Sequence, residues 1–166
     1  MKIAVCLSGQ LRGWEIGWNN QKWFWSTAYE NKAQVDYFAH TWSYSTDRSG
    51  VTQPYVTRDV KVEEFRKFAS LFATKKSLFD STPQKTFYSN DHWTGLFYSF
   101  VKSVLLKREY ERKHNFEYDV VIKSRPDVIF NPNSLCTLPH LLEDSVIYTT
   151  HGGAMSMEFN MQNFND

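Results

Sequence analysis

The feature that most constrains the fold is a long helical stripe followed almost at once by a β-branched run. From His92 to Lys113, the residues Trp93, Leu96, Phe97, Phe100, Val101, Val104, Leu105 and the stretch Arg108 to Tyr110 recur at helical spacing over several turns. Asn90 or Asp91 supplies a natural N-cap. Tyr118 to Ser124 then reads as a buried strand, bounded by the polar end of that helix and by Pro126. The same alternation runs through the rest of the chain. Lys2 to Leu7 and Val35 to Ala39 read as buried strands, with a helix from Trp18 to Asn31 between them that offers Trp18, Phe24 or Trp25, and Ala28 or Tyr29 to one face. A β-like stretch from Tyr55 to Val60 precedes a helix from Val62 to Ala73, closed by Thr74-Lys75-Lys76. Ser145 to Thr149 is a last strand, and Trp42 to Pro54 reads as a long loop. Strands alternating with helices predict an α/β fold: one Rossmann-like domain over residues 1–166, with a mainly parallel central sheet flanked by helices.

The chain has 166 residues, enough for a single domain with a real core. Its net charge of +1, with basic and acidic residues mixed along the sequence, gives no reason to expect a nucleic-acid or anionic-membrane partner. Any anion must be held by a local cluster. The apolar run at Met1 to Leu7 is too short for a membrane span, and the two cysteines, Cys6 and Cys136, do not form a disulfide framework, which points to a reducing cytoplasm. Aromatic residues make up 17%, so individual rings read first as core and second as stacking surfaces for sugars or bases.

In a parallel sheet, ligands bind beyond the carboxyl ends of the strands, where strand order reverses, so the loops at those ends come under scrutiny. After the first strand, Ser8-Gly9-Gln10-Leu11-Arg12-Gly13 combines flexible backbone with a hydroxyl, an amide and a guanidinium that suits an oxyanion; it also reads as a tight turn with a surface arginine. The second strand ends at His40-Thr41-Trp42, where His40 is either a ligand or metal contact or a satisfied structural histidine. The strongest segment is Tyr118 to Phe130, an apolar strand interrupted by Arg125-Pro126-Asp127. A charge held away from water must be paired or metal-bound, so Asp127 is either a metal ligand or the partner of Arg125 in a salt bridge. His151-Gly152-Gly153 adds a second candidate metal ligand, His151, or a glycine turn with an exposed histidine. The tail ending at Asp166 reads as a frayed terminus on general grounds.

Taken together, Lys2 to Gly13, Asp36 to Trp42, the helix segment Phe97 to Ser103 and Tyr118 to Phe130 resemble a group of small bacterial and phage glycosyltransferase-like proteins with the GT-A nucleotide-diphospho-sugar transferase fold. The resemblance covers most of the chain. It implies a nucleoside-diphosphate sugar as donor, Mn²⁺ or Mg²⁺ as cofactor, transfer to a glycan, lipid or protein acceptor, and a cytoplasmic setting, that of the host if the chain is phage-encoded. It implies further that Ser8, Gly9, Gln10 and Arg12 line the nucleotide pocket beside His40, and that Ser99, Lys102 or Ser103 face it from the long helix. Arg125-Pro126-Asp127 takes the place of the family's Asp-x-Asp metal motif, with Arg125 where the first Asp stands; Asp127 and His151 then become the metal ligands, and Arg125 a neutraliser of phosphate. Asp166 matches the carboxylate that serves as general base in an inverting enzyme. Related chains usually continue beyond that point, so the chain reads as a minimal version or a truncation. Two other readings stand beside this one: a nucleotide- or sugar-binding module without catalysis, and an ATP-pyrophosphatase-like enzyme in which Val5 to Gln10 is a degenerate phosphate loop.

Overall fold

The computed structural model describes residues 1–28, 33–47, 56–81 and 92–131. Its centre is β1 (Lys2–Gly9), a strand that is buried from Ile3 to Ser8 because no residue in that run carries a charge. The other sheet strands are β2 (Gln34–Trp42), β5 (Lys76–Asp80) and β6 (Val120–Ser124), with α1 (Trp14–Ala28), α2 (Val62–Phe72) and α3 (His92–His114) between them. The four-stranded sheet has the order β5-β2-β1-β6, and every pair in it is parallel. Two short strands, β3 (Tyr44–Asp47) and β4 (Val56–Asp59), form a separate antiparallel pair.

Alternate residues of β1 feed two cores. Ile3, Val5 and Leu7 pack with Phe24 and Trp25 of α1 and with Phe68 and Phe72 of α2, while Ala4 and Cys6 pack with Phe38 against Phe100, Val104 and Tyr110 of α3. The layers follow from handedness. The connections β1 to β2 and β2 to β5 move one way across the sheet and put α1 and α2 on one face; the return to β6 moves the other way and puts α3 on the opposite face. The expected α/β architecture with a parallel sheet between helices is therefore present. The reversal of strand order falls between β1 and β6, the place where parallel sheets of this kind take their ligands, beyond the carboxyl ends of the strands.

Four boundaries differ from the sequence reading. Helix α1 starts at Trp14, not Trp18, because Gly13 turns the chain with φ +58° and its carbonyl accepts the N–H groups of Ile16 and Gly17. The segment expected as a loop from Trp42 begins as the end of β2 and continues into β3, and residues 48–55 lie outside the described residues. Thr74-Lys75-Lys76 does not merely close α2. Ala73 ends that helix in the left-handed region, and β5 begins three residues later. Its half-buried sequence, Lys76-Ser77-Leu78-Phe79-Asp80, has no β-branched residue to announce it. The last difference is at β6, which starts at Val120, while Tyr118 is a buried ring whose hydroxyl donates to Asp36 Oδ2 at 2.7 Å. The strand expected at Ser145 to Thr149 lies outside the described residues.

Candidate functional site: the carboxyl edge between β1 and β6

Adjacent parallel strands deliver their following loops side by side. Leu7 of β1 is in register with Ser124 of β6, so the turn Gln10-Leu11-Arg12-Gly13 emerges next to Arg125-Pro126-Asp127. The two loops meet through charge. Arg125 forks onto Asp127, Nε to Oδ1 at 2.9 Å and Nη2 to Oδ2 at 2.5 Å, and Arg12 Nε reaches the same Oδ2 at 3.3 Å. The side chains of Arg12 and Arg125 are 39% and 42% exposed and that of Asp127 is 20% exposed, which places the cluster at the surface of this edge. Gly13, in the left-handed region, brings the start of α1 against Asp127; a Cβ on Gly13 would stand 3.7 Å from that of Asp127.

Helix α1 holds the second loop rigidly from behind. Gln21, fully buried, donates from Nε2 to the carbonyl oxygens of Arg125 at 2.7 Å and Val128 at 3.1 Å, and its Oε1 accepts from the Ser124 hydroxyl at 3.2 Å. Asn20 pairs with the backbone of Phe130 in both directions, at 3.1 and 2.7 Å. Between them Gly17 lets the loop approach the helix: a Cβ there would stand 2.1 Å from the Pro126 carbonyl oxygen. These three residues were missed in the sequence. Their signal is a glycine and a polar Asn-Gln pair in a helix whose buried hydrophobic side chains, among the described residues, are Trp14, Phe24 and Trp25.

The first loop is braced from the other side of the sheet. Ser99 Oγ on α3 accepts the Gly9 N–H at 2.9 Å and lies 2.8 Å from His40 Nδ1, while His40 Nε2 faces Asp80 Oδ2 at 3.4 Å. Burial lowers the His40 pKa from 6.5 despite the neighbouring Asp80, so the ring is neutral at pH 7. The neutral tautomer that satisfies both ends carries its proton on Nε2, toward Asp80, and accepts from Ser99 at Nδ1. Aspartate, histidine and serine in this order have the composition of a nucleophilic relay. Ser99 is only 1% exposed, however, and its oxygen also accepts a backbone N–H, so the chain acts as a cross-brace tying the ends of β1, β2 and β5 to α3. Trp42 and Tyr98 stack beside it with centroids 5.6 Å apart, and the Tyr98 hydroxyl donates to Asp80 at 3.2 Å.

The remaining expected residues fall into place unevenly. Ser8, in register with His40, is buried, and its Oγ has no hydrogen-bond partner among the described residues. Gln10 is half-buried in the first turn, where its carbonyl accepts the Arg12 N–H. Lys102 is half-buried with its ammonium 5.1 Å from the Tyr98 ring centroid. Ser103, the third alternative on the long helix, lies a turn further along α3, fully buried, with its hydroxyl donating to the Phe100 carbonyl at 2.7 Å and beside Cys6. His151 and Asp166 lie outside the described residues.

A hard divalent ion needs several oxygen or nitrogen donors around it. Both Asp127 oxygens point at guanidinium groups, and among the described residues no three His, Cys, Asp or Glu side chains converge. The described donor set therefore does not fit Mn²⁺ or Mg²⁺; it fits an anion. Comparison of the chain with protein-family models, with curated proteins and with solved structures gave no match.

Proposed function

We propose that the chain binds a nucleoside-diphosphate sugar at the edge between β1 and β6 and acts as a glycosyltransferase of the GT-A type. The observation that carries this reading is the convergence of Arg12 and Arg125, from two different loops, at the point where the strand order of a parallel sheet reverses. Guanidinium groups match phosphate oxygens in charge and fork geometry, and such an edge is where this class of sheet takes its ligands. Leaving-group departure from a sugar nucleotide develops negative charge on the diphosphate, which fixed cations held by a rigid backbone stabilise. The buried Ser8 hydroxyl, without a hydrogen-bond partner among the described residues, is a further polar group at the same strand end. Asp166 is the proposed base that takes the acceptor proton.

Calorimetric titration with uridine and guanosine diphosphates tests the donor site, and donor hydrolysis or transfer from a panel of sugar nucleotides tests catalysis. Binding without turnover would support the module reading instead, which the two-arginine cluster satisfies equally well because it needs no base. Loss of both binding and turnover in an Arg12→Met, Arg125→Met double variant is the expected result.

A further inference from the structure

We propose that Asp127 is an internal counter-anion: its carboxylate occupies the seat of a ligand phosphate between Arg12 and Arg125, and a diphosphate displaces it on binding. The inference rests on the reading of this edge as a donor-diphosphate site and assigns Asp127 a role opposite to that of a metal ligand.

Three observations lead there. The first is geometry, since the Asp127 carboxylate lies between two guanidinium groups from different loops, and a phosphate with more oxygens and more charge makes stronger charge-assisted bonds to the same donors. Access is the second. The side chains of Arg12 and Arg125 are about two-fifths exposed, and Arg125 Nη1 makes no hydrogen bond among the described residues. The third is the division of the loop into a fixed and a free part. Pro126 is fully buried, its carbonyl is pressed against Gly17, and Gln21 holds the carbonyl groups of Arg125 and Val128. The Asp127 side chain can thus rotate away from the guanidiniums while the backbone that aims Arg125 stays where it is. Without a ligand, Asp127 keeps two neighbouring cations from repelling each other. With a ligand, its ion pairs are exchanged for those of the phosphate.

The test is titration with inorganic pyrophosphate in the presence of a chelator, comparing the wild type with Asp127→Asn, Asp127→Ser and Arg125→Met. Wild-type binding is expected with no divalent ion present. Removing the competing carboxylate should tighten pyrophosphate binding about tenfold in both Asp127 variants, from the loss of partly exposed ion pairs that binding would otherwise have to break. Arg125→Met should weaken it by a similar factor. Weaker or unchanged binding in the Asp127 variants, or wild-type binding that appears only when Mn²⁺ is restored, overturns the counter-anion while leaving the nucleotide site standing. Failure of the wild type and all variants to bind either pyrophosphate or a nucleoside diphosphate overturns both.

Discussion

Replacing Gln21 with Leu tests whether the Arg125-Pro126-Asp127 loop is held by helix α1. The amide makes two good donor bonds, to Arg125 and Val128, and accepts one from Ser124. A buried group left without its partner costs about 1–3 kcal/mol, but the two carbonyls sit on a loop near the surface where solvent can reach them after modest movement. Taking about 1 kcal/mol per lost bond gives roughly 3 kcal/mol in all, offset little by the leucine because the site is shaped for a planar amide. For a chain of this size that corresponds to a fall in Tm of about 6–12 °C. Urea unfolding followed by tryptophan fluorescence measures the loss, and pyrophosphate titration of the folded variant measures the loosening of Arg125. A Gln21→Glu variant should be at least as damaging, because a carboxylate would face two carbonyl oxygens. A Gln21→Leu protein within about 0.5 kcal/mol of the wild type, and with unchanged pyrophosphate affinity, would refute the clamp.

Gly17→Ala should also destabilise, by about 3 kcal/mol or more, because the new methyl would stand 2.1 Å from a fixed carbonyl oxygen; native-like stability in a thermal melt would show that the helix and loop separate easily. Ser99→Ala should cost about 1–2 kcal/mol, since the Gly9 N–H loses its acceptor and His40 its partner, and denaturant titration measures it. His40 titrates below its ordinary 6.5 because burial disfavours the charged ring, so the folded state binds fewer protons there than the unfolded state. Its contribution to stability is complete above about pH 6.5 and is lost as the pH falls below that value toward the folded-state pKa. The stability difference between wild type and His40→Gln should shift over that window, and a difference independent of pH between 7 and 5 would remove the neutral brace from the account.

The α/β architecture was legible because the residues that build it repeat. Helix α3 carries a long apolar stripe, and β1 and β6 are short apolar runs, so periodicity alone located them. Strand β5 was not legible: Lys76 and Ser77 do not look like strand, and what makes them one is pairing with β2 at Phe38 and Ala39, a tertiary cause. In the candidate site, Arg125 and Asp127 stood out as charges set in an apolar run and Arg12 as a guanidinium in a glycine-flanked loop, and the salt-bridge alternative weighed for Arg125 and Asp127 is what the geometry holds. That Arg12 joins them was hidden, because nothing in a single sequence says that residues 115 positions apart lie 3.3 Å from each other. Ser99 and Ser103 illustrate the same limit on one helix. Both are buried serines on α3, four residues apart, yet one reaches the end of β1 and the other is covered by the core, and only the depth at which α3 crosses the sheet separates them. Gly17 and Gln21 look like defects in an apolar helix until the loop that rests on them is in place.

The central claim is that the edge between β1 and β6 holds a diphosphate through Arg12 and Arg125. Its most direct test is calorimetric titration of the wild type and the Arg12→Met, Arg125→Met double variant with uridine diphosphate and guanosine diphosphate. Saturable one-to-one binding of at least one of them by the wild type is expected, with its loss in a double variant that retains the native circular dichroism spectrum. Equal binding by both proteins, or none by the wild type, would contradict it.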